Sequence, residues 1–128
     1  MIVGIGIDVL EVGRMERLLA DHGDRFEQRV FTDLERSQCR GRADRAQALA
    51  ARFAAKEACF KALGTGWSGG VTFRQVEVVR TEGGSPRLRL SGEAARRTAR
   101  AGVTGVWVSL THQPGVAAAV VILEAGSA

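Results

Sequence analysis

Residues 44–66 read DRAQALAARFAAKEACFKALGTG, and this stretch decides the fold. It is rich in Ala and Leu, contains no Gly or Pro before Gly64, and stops at a residue suited to the left-handed turn that closes many helices. The spacing predicts a helix from Asp44 to Leu63, followed by a glycine-rich loop, Gly64-Thr65-Gly66-Trp67-Ser68-Gly69-Gly70. Around it the rest of the chain reads as short strands and helices.

Upstream, Ile2 to Leu10 alternates Ile with Gly before reaching Asp8, an opening strand with close backbone approach at its glycines. Glu11 to about Leu19 has helical spacing, His22-Gly23-Asp24 breaks it, and Arg25 to Val30 forms a second short helix. Thr32-Asp33-Leu34-Glu35 has the capping-box pattern and opens a helix from Asp33 to around Arg40. Downstream, Val71 to Arg80 alternates as a strand, residues 82–86 turn, and Arg87 to Leu90 returns as a hairpin. Ser91 is expected to cap a basic helix reaching about Ala101. Val103 to Thr111 and Val116 to Leu123 are the last strands, joined through His112-Gln113-Pro114-Gly115. There is no internal repeat or linker, so the expectation is one compact α+β domain over residues 1–128, an antiparallel sheet packed on a long central helix.

Composition narrows the function classes. The 128 residues are 45% apolar and 25% charged, an ordinary globular balance. No apolar run approaches the ~20 residues of a membrane span, Asp8 interrupts any signal core, and a cytoplasmic location is expected. Cys39 and Cys59 belong to no metal-ligand pattern and read as free thiols. The net charge of +4 calls for an anionic partner. Only Lys56 and Lys61 among the 18 basic residues are lysines, a hint that an ammonium is wanted in that segment. Gly4-Ile5-Gly6 lacks the third glycine of a dinucleotide fingerprint, and there is no GxxxxGK[ST] loop.

Three places carry chemistry. Asp8, at the end of the apolar strand, is either a helix cap or a ligand. Glu57 and Lys61, four residues apart, share one helix face among Ala, Phe, Cys and Leu, which is not an ordinary solvated surface. Arg52 and Lys56, one turn apart, add positive charge nearby. Magnesium is commonly held by one or two carboxylates plus substrate phosphates, so Asp8 and Glu57 are candidate ligands, with Lys61, Arg52 and Lys56 meeting the phosphate oxygens. Ser109 and Thr111 share one strand face, and His112 follows at the strand end, where a structural histidine is the commoner case.

Taken together, Gly4-Ile5-Gly6-Ile7-Asp8 with Arg14, the block from Arg52 to Gly66, and Ser109-Leu110-Thr111-His112 resemble the holo-acyl-carrier-protein synthase family of phosphopantetheinyl transferases. The resemblance implies transfer of 4'-phosphopantetheine from coenzyme A to a serine of acyl carrier protein, with release of adenosine 3',5'-bisphosphate, in support of fatty acid biosynthesis. It implies Asp8 and Glu57 as ligands of Mg2+ (or Mn2+), and Lys61 as the group steadying the pyrophosphate. Glu57 would also help deprotonate the serine, directly or through a metal-bound water. Arg52, Lys56, Gly64, Thr65, Gly66, Ser109 and His112 would contact coenzyme A, and Arg14, Arg25 and Arg29 would dock the acidic carrier protein. It further implies a homotrimer with active sites between subunits. A magnesium phosphotransferase acting on another nucleotide would share Asp8, Glu57 and Lys61 without needing the arginine-rich docking helices. A nucleic-acid-binding protein is disfavoured: aromatics are 5% of the chain, and none interrupts the arginines from Arg36 to Arg52.

Overall fold

The long helix forms where the sequence places it. The computed structural model describes residues 1–65, 69–81 and 83–126, and in it α3 runs Arg45–Leu63 and ends on Gly64 with φ 73°. Twelve of its residues, from Ala48 to Phe60, are buried, so the helix is the centre of the molecule and not a surface element. Before it come β1 (Ile2–Glu11), α1 (Val12–Val30) and α2 (Asp33–Cys39). After it come a single 3-10 turn (Phe73–Gln75), β2 (Val76–Arg80), β3 (Pro86–Leu90), α4 (Gly92–Arg100), β4 (Val103–His112) and β5 (Val116–Ala125).

The strands make an antiparallel three-stranded sheet in the order β1-β5-β4 and a separate β2-β3 hairpin. Along β1 and β5 the register pairs Gly6 with Val121, Asp8 with Ala119 and Leu10 with Ala117. Because side chains alternate along a strand, Gly4, Gly6, Asp8 and Leu10 share one face with Ala117, Ala119, Val121 and Leu123. That face lies on α3. The glycines are required there: a Cβ at Gly4 would stand 2.3 Å from the Ala62 carbonyl oxygen, and one at Gly6 only 1.8 Å from that of Ala58. The opposite face is apolar and open, with Ile5, Ile7, Val9 and Trp107 each 60–64% exposed.

Two expectations need correction. Val71 to Arg80 is not a continuous strand: Thr72 and Gln75 make a capping box that folds Phe73–Gln75 into a 3-10 turn, leaving only Val76–Arg80 extended. Ser91 stands at the N-cap of α4 but makes no side-chain cap bond; Gln75 does the work, its Oε1 accepting from the Ala94 amide at 3.2 Å. The Thr32 capping box is present, Thr32 Oγ1 accepting from the Glu35 amide and Glu35 Oε1 from that of Thr32. α1 bends at Gly23, whose φ of 52° and ψ of −132° suit glycine alone. Among the described residues no helix is long and apolar enough to cross a membrane.

Gly6→Ala is expected to cost about 1–3 kcal/mol or more by overpacking β1 against α3, read by urea denaturation. Gly115→Ala, where a Cβ meets nothing within 4 Å, should stay within about 0.5 kcal/mol of the parent.

Candidate active site

Asp8 reaches α3 because Gly6, two residues earlier on the same strand face, lets the strand lie against the helix. Its carboxylate does not cap α1, whose N-cap Glu11 makes no side-chain bond either. Instead Lys61 Nζ donates to Asp8 Oδ1 at 3.1 Å and to the Ile7 carbonyl at 2.9 Å. Asp8 is mostly covered while Lys61 stays half-exposed, so the ammonium stands at the mouth of the site.

Glu57 completes this group. Burial pushes its carboxyl above the usual range, the nearby Asp8 charge pushes the same way, and Lys61 and Arg14 oppose the rise. Glu57 and Asp8 thus place two carboxylates close together, with a lysine and an arginine beside them. Among the described residues no group of three or more His, Cys, Asp or Glu side chains is placed to hold a metal ion. The candidate donors are the two carboxylates of Asp8 and Glu57. That fits magnesium, which keeps waters and takes remaining ligands from substrate phosphates, and it does not fit a closed structural metal site.

The structure does not bring Lys56 or Arg52 to this group. Successive helix residues point about 100° apart, so Lys56 cannot share the face of its neighbour Glu57. Its side chain is fully buried on the other side of α3, where Nζ pairs with Glu35 Oε1 at 2.7 Å and donates to the carbonyls of Val76 (2.7 Å) and Phe73 (3.0 Å). Glu35 in turn accepts from the Val78 amide at 2.7 Å. Lys56 thus ties α3 to α2 and β2 with its donors spent, which is why it is corrected from a phosphate contact to a structural pin. Burial holds its pKa below the usual lysine value, with Glu35 opposing. Arg52, one turn back and 2% exposed, donates to the Ala48 carbonyl at 3.2 Å and to Gln38 Oε1 at 3.5 Å. Its Nε has no partner among the described residues.

His112 belongs to the N-terminal end of α3. Its Nδ1 lies 3.0 Å from Gln47 Oε1 and its Nε2 3.8 Å from Asp44, whose carboxylate is held by Arg42. Ser109 lies across β5 from Ile7 on the open apolar face, paired through Val120. From Gln47 to Lys61 the helix rises about 21 Å, so one chain carries two separated clusters. Gly64 and Thr65 come three and four residues after Lys61; Gly66 lies outside the described residues. Arg14, Arg25 and Arg29 are exposed along α1. Cys59, beside Glu57 in sequence, is buried with its thiol pushed up to about 12, which leaves it inert. The signal missed at sequence level was Glu35: a capping-box residue whose second oxygen and charge serve a buried lysine gives no local sign of that task.

Residues 4–121 match the 4'-phosphopantetheinyl transferase superfamily. A curated relative, the holo-acyl-carrier-protein synthase of Methylobacterium radiotolerans, is 54% identical over 98% of this chain and 95% of its own length. The crystal structure of the holo-acyl-carrier-protein synthase from Neisseria meningitidis superposes with a TM-score of 0.88 at 32% identity, covering 97% of this chain and 99% of that one. The Bacillus anthracis holo-acyl-carrier-protein synthase, solved in complex with CoA (3',5'-ADP), gives 0.81 at 38% identity over 98% and 99%. This chain belongs to the 4'-phosphopantetheinyl transferase superfamily.

Lys56→Met strands the Glu35 carboxylate in the core and is expected to cost about 3–5 kcal/mol, with the Lys56→Met/Glu35→Met pair losing much less than twice that. Thermal unfolding checks it. A variant as stable as the parent but weakened toward coenzyme A would return Lys56 to the phosphate site.

Proposed function

We propose that this chain transfers 4'-phosphopantetheine from coenzyme A to a serine hydroxyl of apo acyl carrier protein and releases adenosine 3',5'-bisphosphate. One observation carries the reading: Asp8 and Lys61, 53 residues apart, meet beside Glu57, so that two carboxylates stand together with a cation at their edge. The names of the chain's relatives and the nucleotide held by one of them support the same chemistry.

Asp8 and Glu57 would hold Mg2+, with Mn2+ as the alternative ion. When bound, the ion would neutralise pyrophosphate charge and polarise the phosphorus to be attacked. The chain's own groups do the rest. Glu57 takes the serine proton as the serine oxygen bonds to the β-phosphorus. The bond from that phosphorus to the oxygen bridging toward the α-phosphate breaks, and the bisphosphate leaves with the electron pair. Lys61, already fixed by Asp8 and Ile7, stabilises the charge that grows on the leaving side. Gly64 and Thr65 turn the backbone where the cofactor would pass.

The two clusters on α3 are far apart within one chain, as expected if neighbouring copies complete each site. The apolar face bearing Ile5, Ile7, Val9 and Trp107 is the surface we assign to that contact, in a homotrimer; Ser109 lies on it, and His112 stands with Gln47 and Asp44 at the far end of α3. Arg14, Arg25 and Arg29 would receive the acidic carrier protein. Free thiols at Cys39 and Cys59 suit the cytoplasm, and the reaction would serve fatty acid biosynthesis.

Intact-mass spectrometry of apo acyl carrier protein incubated with this protein, coenzyme A and Mg2+ tests the reading. The expected result is a gain of one phosphopantetheine, abolished by EDTA and slowed about 100-fold or more by Glu57→Ala. No gain with several carrier proteins would refute it. Since Glu57 must be ionised to accept a proton and its carboxyl is raised, the rate should fall as pH drops through a value above the ordinary glutamate range. More Mg2+ should move that limb to lower pH, because the cation favours the carboxylate. A limb unmoved by Mg2+ would count against the shared site.

A further inference from the structure

Beyond the break at Gly23, the second half of α1 carries charges on two sides that do different work. On its inner side Arg36 Nε binds Glu27 at 3.3 Å and Arg45 of α3 donates to the same Glu27 oxygen, while Arg36 Nη2 also reaches the exposed Asp24 at 2.9 Å. Glu27 is only 7% exposed, so two guanidinium groups from two other elements converge on one nearly buried carboxylate. Beside it Phe26 meets Phe31 edge-on, with centroids 6.1 Å apart, and Arg74 donates to the Gln28 carbonyl at 3.3 Å. On the outer side Arg25 and Arg29, one helical turn apart, are exposed and line a groove with His22 and Phe26.

The backbone at Gly23 leaves the helical region, so the first half of α1 does not dictate the direction of the second. Something else must aim it. We infer that Glu27, clasped by Arg36 and Arg45, is a positioning residue that fixes the direction in which Arg25 and Arg29 are presented, and thereby sets affinity for the acidic carrier protein. This rests on the reading of α1 as the carrier-docking helix. Glu27 touches neither the Asp8 group nor the His112 cluster, and its effect should be confined to one substrate.

Glu27→Gln keeps shape and removes the charge that holds both arginines. Steady-state kinetics should show KM for the carrier protein raised roughly five- to tenfold, with kcat at saturating carrier and KM for coenzyme A within about twofold of the parent. In an Arg25→Ala/Arg29→Ala background the same substitution should add nothing further, because the groups it aims are gone. If Glu27→Gln does not fold, Arg36→Gln releases the same clasp from the other side and carries the same expectation. A matched loss in kcat and both KM values, or a full additive effect on top of the double arginine variant, would make Glu27 merely structural and overturn the inference. If the double arginine variant itself leaves the carrier KM unchanged, the docking reading falls and this inference with it. If that variant raises the KM while Glu27→Gln does not, this inference alone falls.

Discussion

The backbones of β1 and α3 are in contact, and the rest of the molecule is arranged around that contact. Gly4 stands over the Ala62 carbonyl and Gly6 over that of Ala58, leaving no room for a side chain at either position. Two strand residues advance about 6.6 Å and four helix residues about 6.0 Å, so strand and helix stay nearly in step as they run past each other in opposite directions. The next residue on the same strand face is Asp8. The contact therefore delivers a carboxylate from the first strand to the helix turn that carries Glu57, with Lys61 one turn further reaching back to it. The acidic pair is a consequence of two glycines and a helix lined with alanines.

The same helix divides its charges by angle. Glu57 and Lys61 face the strand and the solvent mouth, while Arg52 and Lys56 face inward. The inward face is costly, since an ammonium in the core must be fully paired. Glu35 supplies the countercharge and two carbonyls take the remaining donors, so the pair locks α3 to α2 and to the start of β2. That lock holds the helix at a fixed rotation, and a fixed rotation is what keeps Glu57 turned toward Asp8.

Much of this was legible in the sequence because it is local. The length of α3, its stop at Gly64, the Thr32 capping box, the break at Gly23 and the glycine alternation of β1 are each written within a few residues. What was not legible depends on partners distant along the chain. Lys56 reads like a twin of Lys61 until the helix is surrounded by neighbours, and only then does its face prove to be the core. The start of β2 was misread because Thr72 and Gln75 close on each other, and Gln75 then replaces Ser91 as the cap of α4. Candidate ligands were recognisable by type, but the separation of His112 from Asp8 follows only from the helix length between them, and that of Arg52 from the inward turn of its side chain.

The central claim is that Asp8 and Glu57 form one divalent-cation site made by the strand–helix contact. Titration of Mn2+ into the protein with coenzyme A present, followed by electron paramagnetic resonance of the free ion, tests it most directly. The account predicts binding in the parent that is lost in Asp8→Asn and in Glu57→Gln alike, with both variants folded. Binding of undiminished strength in either variant would contradict it.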